Sequence, residues 1–302
     1  MGITAGLEHI IRENEPLAPY TRLRLGGPVE YFVEPTHVDE LTEVIRRARQ
    51  EDLAIRLLGG GTNLLVRDEG VAGVVVNLAA PAFCGLEVIE NGLLAGGGVQ
   101  LAHWIAAAVR EGFSGPEQLA GIPGTVGGAL HGNSGTHAGD IGQWCCGATV
   151  ITRNGEVLER SSDDLSFAYR QSSLNELVIL DATFQFESEP AETLTKRMQK
   201  LWIHRQTSQP SSLEASAYVF RDPIGVSATS LIEQSGLKGT KVGGAEISER
   251  DPNFIVATPE ATSADFVQLM DLMKAQVHER TGVELELNVD CLLYTSDAAD
   301  ES

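Results

Sequence analysis

Glycine supplies the first chemistry legible in this chain. Residues Gly121 to Gly139 read GIPGTVGGALHGNSGTHAG, with seven glycines and no side chain bulkier than leucine or histidine. A run so poor in packing side chains is not expected to be core in its own right. Glycine takes positive φ freely and lets main-chain amides approach a ligand to van der Waals distance, so the stretch is a candidate cradle for a flat or anionic group. A second run, Gly59-Gly60-Gly61-Thr62-Asn63, follows the apolar segment Ile55 to Leu58. Consecutive amides, with the Thr62 hydroxyl and the Asn63 amide, suit a pyrophosphate. The run is not GxGxxG and no GK[ST] follows, so on its own it reads equally well as a tight turn.

The elements around these loops follow from periodicity. Tyr31 and Val33 alternate as a strand after the Gly26-Gly27-Pro28 turn. Val38, Leu41, Val44, Ile45 and Ala48 then recur at helical spacing, with Thr36 as the expected N-cap. Strands are expected at Ile55 to Leu58 and Gly73 to Leu78, which makes a β-α-β-like unit. Short strands at Leu86 to Ile89 and Leu93 to Ala95 precede a helix over Gln100 to Arg110, closed by Gly112. Asn154-Gly155 signals a hairpin, and Leu177 to Phe186 is the strongest strand. The last third reads as a helix over Ala191 to Gln206, a loop over Thr207 to Glu214, and a strand over Tyr218 to Arg221. A helix over Ser227 to Ser235, strands over Lys241 to Ile247 and Phe254 to Ala257, and a capped helix over Ser263 to Arg280 complete it.

These elements predict an α+β chain in three parts: residues 1–80, 81–188 and 189–290. The 302 residues carry 42% hydrophobic side chains, enough for well-filled cores. A formal charge of −20 disfavours a nucleic-acid or anionic membrane surface, although a local basic pocket can persist inside an acidic whole. No basic-plus-apolar leader and no apolar run of membrane length is present, and a cytoplasmic protein with no nucleic-acid or membrane partner and no obligate protein partner is expected. Cys145 and Cys146 are adjacent, Cys84 stands alone, and there is neither a disulfide framework nor metal spacing. Residues 291–302 begin CLLYTSDAADE, which resembles the translation of a transposon-end sequencing adapter. They are set aside as an artefact, and the natural chain is expected to continue differently past residue 290.

Five motifs occur in a telling order: Leu58 to Asp68 (LGGGTNLLVRD), Gly121 to Gly139, Tyr169-Arg170-Gln171-Ser172, Phe220-Arg221-Asp222-Pro223, and Leu231 to Gly244 (LIEQSGLKGTKVGG). Over residues 20 to 290 the chain resembles the UDP-N-acetylenolpyruvoylglucosamine reductases (MurB family) in their shorter, type II form. The resemblance implies a two-part FAD-binding module of the vanillyl-alcohol-oxidase (PCMH) type, over 1–80 and 81–188, and a substrate-binding domain over 189–290. It implies an oxidoreductase of peptidoglycan synthesis, needed for cell-wall biogenesis, cell shape and division. NADPH reduces FAD, and hydride passes to the enolpyruvyl ether of UDP-N-acetylglucosamine to give UDP-N-acetylmuramate.

Residue by residue, Gly59, Gly60, Gly61, Thr62 and Asn63 suit the flavin pyrophosphate. Gly121, Ile122, Pro123, Gly124, Thr125, Gly127 and Gly128 suit the flat ring, and the resemblance adds Asn133. Arg170 matches the family's catalytic arginine, a permanent charge able to grip a carboxylate with two donors. Where the family places a serine proton donor stands Tyr218, with Ser216 two residues earlier on the same face of an ideal strand. Tyr218 is the favoured donor. Asn288 occupies the slot of a family glutamate and cannot relay a proton, unless Glu284 or Glu286 substitutes. Arg221, Asp222 and Lys238 fall on the nucleotide side, where Asp222 and Asp251 are unusual acids beside a diphosphate. Two other readings stay open: a flavin-binding homologue without turnover, and a flavin oxidoreductase with another substrate. His131 and His137 lie near the glycine loop, but neither is well placed for covalent flavin attachment.

Overall fold

The apolar periodicity over residues 38–48 becomes helix α1 (Val38–Gln50), whose Leu41, Val44, Ile45 and Ala48 are completely buried against Val33, Val74 and Val76. Its N-cap is His37, not Thr36. The His37 ring accepts from the Glu40 amide at 3.3 Å, while the Thr36 hydroxyl donates to the Glu40 carboxylate at 2.7 Å. Both groups satisfy the helix start, and only their competition in three dimensions decides which is the cap.

This computed structural model of the chain describes residues 2–211 and 214–292. Of the adapter-like tail, residues 293–302 lie outside the described residues. The strands Ile11–Pro16, Pro28–Val33, Val71–Asn77 and Ile55–Leu58 form one sheet in that order, with Ile55–Leu58 and Val71–Asn77 parallel. Ile11–Pro16 has no apolar alternation, and the sequence did not signal it. An antiparallel five-stranded sheet runs Val157–Ser161, Cys145–Ile151, Val178–Gln185, Gly92–Gly96, Leu86–Ile89. Its first two strands flank the expected Asn154-Gly155 turn, where Gly155 takes φ +84°.

The chain divides into two units. Among the described residues, the first comprises 2–13, 31–60 and 73–205; the second comprises 14–30, 61–72, 206–211 and 214–292. In the first, helices α2 (Leu101–Arg110) and α3 (Val126–His131) share a core with the five-stranded sheet. Trp104 is fully buried there, edge-on to Phe184 at 4.8 Å. Helix α4 (Ala191–Ser208) carries Arg197, which pairs at 2.6 Å with the completely buried Glu117 and at 2.9 Å with Glu189. The helix reaches two residues beyond the expected end at Gln206.

In the second unit the sheet order is Ser216–Tyr218, Phe254–Ala257, Ala245–Ile247, Lys241–Val242. Helices α5 (Ala228–Gln234) and α6 (Ser263–Thr281) bury Ile232, Phe266, Leu269 and Met273 in a core that Leu23, Leu25 and Leu65 complete. The expected capping of α6 is present: a Thr262–Asp265 capping box at its start and Gly282 at φ +71° at its end. Two expected strands are cut short for visible reasons. Gly243, at φ +51°, turns 241–247 into a hairpin. Beyond Tyr218, the buried Asn253 amide takes both main-chain groups of Phe220, accepting at 3.0 Å and donating at 2.8 Å, which replaces the ladder. Among the described residues, no helix is long and apolar enough to cross a membrane.

Candidate active site

The Gly59–Asn63 run leaves the strand Ile55–Leu58 as expected, and its glycines are required by close approach. A Cβ on Gly59 would stand 2.7 Å from the Thr125 hydroxyl, so this residue brings the two glycine loops of the first unit together across 66 positions of sequence. Gly61 belongs to the second unit, takes φ +58°, accepts from the Arg22 amide at 2.8 Å, and would drive a Cβ onto the Tyr20 carbonyl oxygen. The expected result of Gly61→Ala is a loss of roughly 2 kcal/mol or more from combined αL strain and backbone overlap. Urea unfolding with a midpoint equal to the wild type would contradict it.

Within Gly121–Gly139 the structure separates glycines that serve the fold from those at a surface. Val126, Ala129 and Leu130 of α3 are core residues, so the stretch is not a bare loop throughout. Thr125 caps α3 by accepting from the Gly128 amide. Gly127 packs on main chain: its amide donates to the Gly97 carbonyl at 2.8 Å, and its Cβ position lies 3.0 Å from that oxygen. The run Gly96-Gly97-Gly98, visible in the sequence but not singled out, is its counterpart, since each of its members would press a Cβ into backbone. Gly121 and Gly124 are solvent-accessible and hold φ of +85° and +121°. Asn133 is 3% exposed and spends its amide on the protein, donating to the Ala168 carbonyl at 2.8 Å and accepting from the Gly142 amide at 3.1 Å.

That Asn133 bond leads to Arg170. Phe167–Ala168 and Gln171–Ser172 form a two-residue hairpin whose turn is Tyr169-Arg170, and the Ser172 hydroxyl ties it to the His131 carbonyl at 2.9 Å. Arg170 sits at φ +58°, a region where a side chain with Cβ costs about 1 kcal/mol. Its Nε is buried without a hydrogen-bond partner, and its guanidinium stands 5.7 Å from the centroid of the Tyr169 ring. Arg205 lies close by. Its side chain covers Gly121, with Cδ 3.0 Å from the Cβ position there. Burial pulls the Arg205 guanidinium below its ordinary value, and the positive charge of Arg170 adds to the effect. Sequence reasoning missed Arg205; its one signal was a basic residue in the last turn of a helix.

In the second unit Tyr218 and Asn288 meet. The Tyr218 ring packs edge-on to Phe254 at 5.3 Å, and its carbonyl accepts from the Asn288 amide at 3.3 Å. The same amide donates to the side chain of Asn63 at 3.1 Å, and the Asn63 amide returns a bond to the Asn288 carbonyl at 2.7 Å. Ser216 is 1% exposed and its hydroxyl has no partner. Glu284 and Glu286 are exposed, and Glu286 uses its carbonyl to hold the Arg221 amide at 2.9 Å. Arg221 Nε is buried and unpartnered, Asp222 accepts from the Ala228 amide at the start of α5 at 2.8 Å, and Lys238 pairs with Glu233 at 2.5 Å.

Asp251 accepts from the Asn253 amide at 3.0 Å and the Thr229 hydroxyl at 2.9 Å. Burial pushes its carboxyl up, and the charge of Asp222 adds to that. The folded state therefore holds the Asp251 proton more tightly than the unfolded chain, so the group costs stability as pH rises above the unfolded value near 4. Asp251→Asn keeps the acceptor oxygen and removes that cost. The expected outcome is a melting temperature above wild type at pH 7, with the difference vanishing near pH 4; equal melting temperatures at pH 7 would contradict it.

A domain model described as "UDP-N-acetylenolpyruvoylglucosamine reductase, C-terminal domain" matches residues 209–292, and one described as "FAD binding domain" matches residues 29–161. The UDP-N-acetylenolpyruvoylglucosamine reductase of Rhodopirellula baltica is 40% identical over 94% of this chain and 93% of its own. That of Listeria innocua is 36% identical over 95% of this chain and 97% of its own. The chain belongs to the UDP-N-acetylenolpyruvoylglucosamine reductase family. The crystal structure of the reductase from Thermus caldophilus matches it with a TM-score of 0.79 at 33% identity, covering 93% of this chain and 99% of the other.

Membership bears out the α+β fold with its FAD-binding module, and FAD is the cofactor. The matched flavin domain spans both glycine loops. The residues present fit the group. Gly59 admits the Thr125 hydroxyl only because it lacks a side chain, Gly121 and Gly124 expose main chain at positive φ, and Arg170 offers an unspent donor.

Proposed function

We propose that this family member carries out the NADPH-dependent reduction of UDP-N-acetylglucosamine enolpyruvate to UDP-N-acetylmuramate, a step of peptidoglycan synthesis; its relatives are named as reductases of that enolpyruvyl substrate. The observation that carries the reading is the match at 40% identity over 94% of this chain, with Arg205 packed on the Gly121 loop and lowered in proton affinity by the charge of Arg170. When bound, FAD supplies hydride. Gly59, Gly60, Gly61, Thr62 and Asn63 would hold its pyrophosphate, and Gly121 to Gly124 would present main chain to its ring, with Thr125, Gly127 and Gly128 supporting that loop at the start of α3 and Asn133 bracing it against Ala168.

Arg170 grips the substrate carboxylate and stabilises the negative charge that develops there, which is worth several kcal/mol in a preorganised site. Arg205 adds a second positive charge and packs its stem against Gly121. Tyr218 donates the proton to the other carbon. Arg221, with its unspent Nε, meets the diphosphate, and Lys238 joins it by exchanging Glu233 for phosphate. Asp222, already holding the Ala228 amide, orients that segment. The setting is the cytoplasm, and the product serves wall growth, cell shape and division.

The test is anaerobic stopped-flow mixing of the NADPH-reduced holoenzyme with the enolpyruvyl substrate. Flavin reoxidation that depends on substrate is expected, and its absence would sink the proposal. That absence would favour a second reading, a flavin-binding homologue without turnover. One observation supports this alternative: Asn288 commits its amide to Asn63 and Tyr218 and carries no exchangeable acid.

A further inference from the structure

We propose that Asn288 is a positioning residue that works as a hydrogen-bond donor, locking the glycine-loop residue Asn63 to the strand that carries Tyr218. The inference rests on the reading of Tyr218 and residues 61–63 given above. Its starting point is the direction of the bonds. The Asn63 amide nitrogen is occupied, donating to the Asn288 carbonyl at 2.7 Å and to the Asp290 carboxylate at 3.3 Å. This fixes the Asn63 side-chain oxygen towards residue 288. What residue 288 faces is then two acceptors, that oxygen at 3.1 Å and the Tyr218 carbonyl at 3.3 Å, and only a donor can satisfy both.

The main chain reinforces the placement. Asn288 donates its own amide to the Val219 carbonyl at 2.7 Å, and Asp290 donates to the Asn63 carbonyl at 2.8 Å. The side chain is thus held from both sides at one distance from the backbone. A carboxylate at this position would set its oxygens against two acceptors and bring a second negative charge towards Asp290. The slot suits an amide, and an acid placed there would lose both donated bonds, to the Asn63 oxygen and the Tyr218 carbonyl. Restoring the glutamate that the family resemblance leads one to expect should therefore harm this protein.

The experiment uses the FAD-loaded full chain and the variants Asn288→Asp, Asn288→Glu, Asn288→Ala, Asn63→Ala and the double alanine variant. Flavin reduction by NADPH and reoxidation by the enolpyruvyl substrate are timed separately, and urea unfolding is measured on each protein. Asn288→Asp and Asn288→Glu are expected to slow reoxidation about tenfold or more, with flavin reduction within about twofold of wild type, as loss of a positioned donor requires. The double alanine variant is expected to be no worse than the poorer single variant in reoxidation and in unfolding, the mark of a shared interaction. Wild-type reoxidation in Asn288→Glu, or additive effects of the two alanines, would overturn the proposal. If the wild type itself shows no substrate-driven reoxidation, the functional reading has failed, and the urea coupling alone decides the interlock: non-additivity supports it and additivity overturns it.

Discussion

Replacing Arg170 with glycine is expected to raise the melting temperature while removing nearly all substrate-driven flavin reoxidation. Three features of the folded protein push against the arginine. It holds φ at +58°, where glycine is at ease and a Cβ is not. Its Nε is buried without a partner. Its charge lies close enough to Arg205 to lower that residue's proton affinity. Relief of the backbone strain alone is worth about 1 kcal/mol, or roughly 2 °C for a chain of this size. On the catalytic side, loss of a charged donor aimed at developing charge costs about a hundredfold to a thousandfold in rate. Arg170→Lys separates the two effects. It keeps the positive φ and a charge but loses the planar two-donor grip, so its rate should fall without a gain in melting temperature. A glycine variant less stable than wild type, or one that retains normal reoxidation, would show that the turn is not strained for the sake of its side chain.

The second large effect falls on Tyr218. Tyr218→Phe keeps the aromatic ring against Phe254 and the ladder from Ser216 to Tyr218, so the fold should survive. Removing the hydroxyl should slow the reoxidation half-reaction by about a hundredfold or more, the usual worth of a positioned proton donor, and leave flavin reduction by NADPH unchanged. Ser216→Ala is the companion experiment. Ser216 lies on the same strand, but at 1% exposure its hydroxyl is sealed in the interior, and its loss should change reoxidation less than twofold, within the effect of an apolar swap at an unpartnered site. Normal reoxidation in Tyr218→Phe together with loss in Ser216→Ala would transfer the proton to the serine.

These outcomes bear on how the chain compensates for its departures from the family pattern. A tyrosine hydroxyl reaches farther from the backbone than a serine hydroxyl, so the strand beneath it must be held differently. The Asn253 clamp on Phe220 and the Asn288 amide on the Tyr218 carbonyl fix the strand at and just beyond the Tyr218 end of the short ladder. Asp222 and Asp251, which look hostile to a diphosphate in the sequence, are occupied by the Ala228 amide and by Asn253 and Thr229. Their acidity is thereby turned inward, and among the described residues Arg221 keeps an unspent donor there.

By itself the sequence determined whatever depends on neighbours a few residues apart. The helical face of α1, the Asn154-Gly155 hairpin, the strand Ile55–Leu58 and the capped ends of α6 all follow from local periodicity and from turn and cap chemistry, which act within one or two turns of chain. The two glycine runs were legible for the same reason, because conformational freedom belongs to the residue that has it. Tertiary structure alone decided which glycines face solvent and which face backbone: Gly127 packs on Gly97, and Gly59 opens onto Thr125. It alone brought Arg205 beside Arg170, set Asn133 between Ala168 and Gly142, and joined Asn63 to Asn288 across 225 positions. Those contacts carry no local signal. An arginine near a helix end or an asparagine in a polar segment is favourable in many surroundings, and its partner is chosen only when buried polar groups must all be satisfied at once.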